Sequence, residues 1–222
     1  MTINHENRPL IVLVHGLWMS GFELGVLKHR LEASDEFRAC AFSYASLAGS
    51  MNDHVRALLE FVRAQSAQTL HFVGHSLGGL VILRALMEAP DLPSGRAVLL
   101  GTPLQGSRAA QGIARWPFGK MILGTAVQEE CVQFAPREWS GPREVGIIAG
   151  SMGMGLGRLV AKLDVDNDGT VLVEETKLPG AKDHIVLPVS HTGLVFSAAV
   201  AEQTLVFLRE GQFRKNGEEV RK

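Results

Sequence analysis

Short apolar runs recur along the chain, separated by stretches where apolar residues return every third or fourth position. Residues 10–14 are five consecutive aliphatic residues that stop at His15-Gly16. Residues 37–44, 69–73, 96–100, 145–149 and 184–189 are further β-rich runs. Continuous rather than alternating hydrophobicity marks strands buried on both faces, as in a parallel sheet. The intervening segments 51–65, 77–89 and 192–208 read as helices. In the first, Val55, Leu58, Leu59 and Val62 fall on one helical face, and Asn52-Asp53 is its expected cap. Strand and helix in alternation predict one α/β domain over 1–222, with a mainly parallel sheet of about six strands.

Residues 103–143 break this rhythm. They hold Gly106, Gly112, Gly119, Gly124 and Gly141, several prolines, and the aromatic residues Trp116, Phe118 and Trp139. So long an irregular stretch inside a compact domain is read either as a small lid over a binding site or as connecting helices and loops with aromatics on the core.

Composition narrows the function classes. A formal charge of −1 gives no basic excess for nucleic acid, and the cationic tail Arg214-Lys215 with Arg221-Lys222 reads as solvated. The two cysteines, Cys40 and Cys131, lack metal-type spacing and are expected to stay reduced. The polar N-terminus does not read as a secretory signal, and no apolar run of the sequence is long enough to be expected to cross a bilayer. A cytoplasmic protein without a transmembrane segment is expected.

The local feature with most chemical content is Gly74-His75-Ser76-Leu77-Gly78-Gly79, between an apolar strand and the helical pattern of Leu80, Val81, Leu83 and Leu86. A G-x-S-x-G sequence at a strand-to-helix turn forces the serine into strained geometry and exposes its hydroxyl. Ser76 is therefore the candidate nucleophile. The N–H of Leu77 opens the following helix, where it can stabilise a developing oxyanion. The N–H of Leu17, after His15-Gly16, is the second candidate donor, and Trp18 and Met19 would line a substrate pocket.

A serine hydroxyl needs a base. Of the eight histidines, only His184 and His191 follow the serine. His184 begins a strand, whereas His191 follows one, where ligands bind in open α/β sheets; His191 is preferred. His75 is expected to face away from the site. The acid that orients the imidazole is expected between the fifth and sixth strands. There Asp168 precedes Gly169 in a turn, with Asp166 and Asp164 as alternatives.

A competing reading uses the same acids. Asp164, Asp166, Asp168, Gly169 and Glu175 satisfy the spacing of a calcium-binding helix–loop–helix, with helix signals at 159–163 before it. Pro179-Gly180 would cut the exiting helix short, and no second such loop is present in the sequence. On this reading the chain is a calcium-binding or ligand-sensing protein on a hydrolase scaffold.

Taken together, His15-Gly16-Leu17, the serine motif, Leu100-Gly-Thr-Pro103, Asn167-Asp-Gly-Thr-Val171 and Ser190-His-Thr-Gly-Leu194 resemble the bacterial lipase and esterase branch of the α/β-hydrolase superfamily. The resemblance runs from the first strand to the last helix. It implies an α/β-hydrolase core, a catalytic Ser76, Asp168 and His191, oxyanion donors at Leu17 and Leu77, and hydrolysis of small-molecule or lipid esters with no metal or cofactor. Set beside larger members of that branch, the chain is expected to lack the two antiparallel strands that precede the strand carrying His15-Gly16. A thioesterase or acyltransferase would use the same residues.

Overall fold

The computed structural model describes residues 8–153 and 166–215. Six strands, β1 (Leu10–Val14), β2 (Arg38–Phe42), β3 (Leu70–His75), β4 (Ala97–Leu100), β5 (Val145–Gly150) and β6 (Asp183–Leu187), form one sheet in the order β2-β1-β3-β4-β5-β6. All five pairings are parallel. Among the described residues the α-helices are α1 (Gly25–Glu32), α2 (Met51–Arg63), α3 (Leu77–Glu88), α4 (Arg108–Ala114), α5 (Gly119–Val127), α6 (Gly193–Phe196) and α7 (Ala198–Glu210).

Strands β1, β3, β4 and β5 are buried throughout, so successive side chains enter two separate cores. Leu10, Val12, Val14, Phe72 and Leu99 meet α2 and α3 on one face. Ile11, Leu13, Val73, Val98 and Leu100 meet α1, α6 and α7 on the other. Helix α3 is apolar nearly all round because it lies in the first core rather than on the surface.

Two local expectations are corrected. The cap of α2 is Ser50, not Asn52-Asp53: its side chain accepts from Asp53 N–H, and Asp53 answers in a capping box. The helix expected over 192–208 is two, α6 and α7, divided at Ser197, which is extended (ψ 132°) and caps α7 by accepting from Val200 N–H. The region 103–143 carries α4, α5 and a π-helical turn, Gln128–Val132; Trp139 is buried in the first core while Trp116 and Phe118 are exposed.

The strand order places the site. From β1 the chain moves outward to β2, then crosses back to β3 on β1's other side. The carboxyl ends of β1 and β3 therefore flank the point where the order reverses, the crevice in which open α/β sheets bind ligands. His15-Gly16 lies at one lip and His75-Ser76 at the other.

Candidate active site

Ser76 leaves β3 with φ 53° and ψ −124°, a backbone conformation that a residue with a side chain adopts only under constraint. The constraint is visible on either side. Ser76 N–H donates to Leu100 O at 2.9 Å, which keeps the sheet ladder intact up to the turn. Glycines then let α3 come close: a Cβ on Gly78 would stand 2.3 Å from Val14 O, and one on Gly74 2.7 Å from Gly79 N. Leu77 is the first residue of α3, where main-chain N–H groups have no partner within the helix.

Gly16 closes the opposite lip, where a Cβ would lie 2.9 Å from that of Ser76. His15 Nδ1–H donates to Gly16 O at 2.8 Å, and His15 Nε2 accepts from Tyr44 N–H at 3.2 Å. Tyr44 OH in turn donates to His15 O at 3.0 Å, and the two rings stack with centroids 4.4 Å apart. Because the peptide unit is planar and trans, holding the Gly16 carbonyl on one side points Leu17 N–H to the other.

Asp168 and His191 come from two turns at the far side. Asn167 Oδ1 accepts from Gly169 N–H, and Gly169 has φ 98°, the left-handed conformation this tight reversal requires. Asp168 Oδ1 accepts from Thr170 and Val171 N–H at 2.9 and 2.7 Å. Its Oδ2 accepts from His191 Nδ1–H at 2.6 Å. Asp168 is buried, at 1% side-chain exposure, and His191 is half-buried, at 15%. With Nδ1 committed as a donor, Nε2 of His191 carries the free lone pair.

Ser76 and His191 line one cavity of ≈460 Å³, together with Leu17, Trp18, Met19 and Leu77. Ala109, Ala110, Ile113, Leu123, Val127 and Cys131 form its apolar wall, all from the region 103–143. Trp18 Nε1–H donates to Ile122 O at 3.1 Å, joining the β1 lip to that wall. Burial pushes the Cys131 thiol up to about 12, so it lines the cavity as an apolar surface rather than a nucleophile.

Every sequence-derived site residue thus reaches this cavity except Asp168, which stands directly behind His191. His75 is a correction: instead of facing away, it lines the cavity and its ring lies against that of His191, centroids 4.7 Å apart. Sequence reasoning also gave no role to Gly101. Its φ is 56°, and a Cβ there would meet Asp168 Oδ2 at 3.0 Å and His191 Nδ1 at 3.2 Å.

The calcium loop divides. Asp164 and the helix signals at 159–163 lie outside the described residues. Asp166 is exposed, while Asp168 is bonded as above and Glu175 accepts from Arg108 N–H and Leu172 N–H at 2.7 and 2.9 Å. Burial raises the Glu175 carboxyl above its ordinary range. Both carboxylates are already committed to local bonds, and among the described residues no cluster of His, Cys, Asp or Glu is grouped to hold a metal. His184, the other histidine after the serine, bonds Thr176 Oγ1 at 2.9 Å.

The family model of the alpha/beta hydrolase family matches residues 11–172, most of the chain. The chain belongs to that family. Among solved structures, this hydrolase is similar to the mature lipase BlEst2 of Bacillus licheniformis, at 20% identity and a TM-score of 0.71 over 91% of both chains. It is also similar to a metagenomic carboxyl esterase, at 17% identity and a TM-score of 0.66 over 82% of this chain and 64% of that one. The carboxylesterase CesB of Bacillus subtilis matches at 15% identity and a TM-score of 0.59 over 92% and 84%. At these identities the likeness is one of fold. A comparison with curated proteins finds no match. No helix among the described residues of the hydrolase is long and apolar enough to cross a membrane.

Proposed function

We propose that this hydrolase cleaves carboxylic esters with Ser76 as nucleophile, His191 as general base and Asp168 as the acid that orients it. The observation that carries the reading is the strained Ser76 elbow sharing an apolar cavity with an imidazole whose Nδ1 is held by a buried carboxylate. Deprotonation of the Ser76 hydroxyl by Nε2 of His191 accompanies its attack on the ester carbonyl. Asp168 keeps the imidazole in the required tautomer and stabilises its cationic form. The amides of Leu17 and Leu77 receive the oxyanion. Collapse returns the proton from His191 to the departing alcohol, and water, activated by the same imidazole, then releases the acid from Ser76.

The apolar wall from 103–143 receives the acyl chain, and this region acts as the cover of the site. A fluorophosphonate probe tests the nucleophile: it labels wild type and spares Ser76→Ala, and labelling that persists in the variant refutes the assignment. Hydrolysis of p-nitrophenyl esters across chain lengths, beside matched thioesters, tests the substrate class; faster thioester turnover would move the reading to a thioesterase on the same residues.

A further inference from the structure

His75 is a buried imidazole, 4% exposed, in covalent sequence with Ser76, and the scheme above gives it no part. Its Nε2–H donates to the main-chain oxygen of His191 at 3.0 Å. Its Nδ1 is buried with no hydrogen-bond partner among the described residues. A carbonyl only accepts, so the proton must sit on Nε2, and one tautomer is fixed. Burial lowers the group to about 3, so it stays neutral beside a ring that turns cationic during the reaction.

The main chain of His191 is thus held at both ends by different elements. Its N–H donates to Asp168 O at 2.8 Å, and Asp168 also takes its Nδ1–H. These bonds fix His191 relative to the acid turn. Among the described residues, the hydrogen bond from His75 ties the His191 main chain to the strand that carries the nucleophile, and it starts from the residue next to Ser76. Proton transfer requires donor and acceptor at about 2.6–3.2 Å, and a displacement of about 1 Å costs on the order of 10²-fold in rate.

We propose that His75 is a positioning residue: its Nε2–H sets the separation of the general-base loop from the nucleophile strand, and so sets the rate of acyl-enzyme formation rather than substrate affinity. The inference rests on the proposed roles of Ser76 and His191.

The test compares wild type with His75→Phe, which keeps a ring against His191 but removes the donor, and His75→Gln, whose amide returns an N–H at similar reach. Fluorophosphonate labelling rate, and kcat and KM on one p-nitrophenyl ester, are measured with urea unfolding midpoints. His75→Phe is expected to lose about 10- to 100-fold in labelling rate and kcat with KM within about twofold, and His75→Gln to recover most of the loss. If the phenylalanine variant does not fold, His75→Asn, whose shorter amide falls short of the carbonyl, takes its place. Wild-type rates in His75→Phe, a loss confined to KM, or a glutamine variant that folds without recovering would overturn the proposal while leaving the Ser76 assignment standing. Wild-type protein that is not labelled at Ser76 would overturn both.

Discussion

Asp168 grips His191 twice, accepting Nδ1–H at Oδ2 (2.6 Å) and the main-chain N–H at its own carbonyl (2.8 Å), across 23 positions of sequence. Asp168→Asn separates the two grips. The amide oxygen still accepts from Thr170 and Val171, so the turn survives, but the amide nitrogen now donates toward Nδ1. The imidazole must then carry its proton on Nε2, where it has no lone pair for Ser76. Turnover should fall by about 10⁴-fold, with an unfolding midpoint close to wild type. Unchanged turnover would move the acid elsewhere.

The parts of this site that were legible in the sequence are those written in adjacent residues. An apolar strand ending at His15-Gly16, a serine between glycines at a strand–helix junction, and Asp-Gly at a turn each carry their geometry locally. The roles of His15 and His75 were not legible because their partners, Tyr44 and His191, lie 29 and 116 positions away. Helices α4 and α5 were legible only as one of two readings of 103–143, for another reason. They are short, α4 contains Gly112 and α5 is kinked at Gly124, so they owe their helicity to packing of Ala110, Leu123 and Ala126 on the core rather than to propensity. Helix α1 did leave a signal, since Leu24, Leu27 and Leu31 share one face, all buried beneath the second core.

His15 should matter through the peptide it pins. His15→Phe keeps the stack on Tyr44 but frees the Gly16 carbonyl, so Leu17 N–H loses its fixed direction. Loss of an oxyanion donor outright costs about 10²- to 10³-fold in kcat, and a disordered donor should cost at least about tenfold with little change in KM. His15→Asn, whose amide can still donate to Gly16 O, should lie between the variant and wild type. Steady-state kinetics of the three proteins on one ester check the order, and equal kcat in all three would remove Leu17 from the oxyanion site.

Gly101 couples backbone to the Asp–His pair. An alanine at φ 56° is strained, and its Cβ would stand 2.6 Å from Leu194 Cδ1 as well as against Asp168 and His191. Gly101→Ala should destabilise by about 2 kcal/mol, lowering the thermal midpoint by about 4–8 °C. Labelling of Ser76 should slow in the same variant, because the methyl group would press on Leu194 and on the pair. A variant with wild-type midpoint and labelling rate would show that the pair does not rest on this glycine.

Acid should unfold this protein early. Burial lowers His15, His54, His71, His75 and His184, with His71 reaching about 4 and His75 about 3. The unfolded chain takes up these protons near pH 6.5 and the folded one does not. Stability is therefore full above pH 6.5 and is lost as pH falls toward 4, by up to about 1.4 kcal/mol per pH unit for each histidine. The raised Glu175 works in the opposite sense but is one group against five. Urea midpoints at pH 7, 6 and 5 should decline with increasing steepness. In His71→Asn, which keeps an acceptor for the Arg96 N–H bonded at 3.0 Å, the slope should ease by about one proton. A midpoint independent of pH over this range would contradict neutral burial.

Chain-length preference should follow the apolar wall, and in both directions. Ala110 is 6% exposed and Ile113 is partly buried, and both face the cavity from α4, one helical turn apart. Ala110→Leu adds three carbons to the apolar wall and removes room that a long acyl chain needs more than a short one. Each methylene that no longer fits forfeits about 1–3 kcal/mol of transition-state binding. For p-nitrophenyl esters, kcat/KM should therefore fall at least about tenfold on the longer acyl chains while acetate changes by less than about threefold. Ile113→Ala widens the same wall and should shift the optimum toward longer chains. If both substitutions scale all esters equally, the acyl group lies elsewhere, and the cavity wall from 103–143 has no part in choosing the substrate.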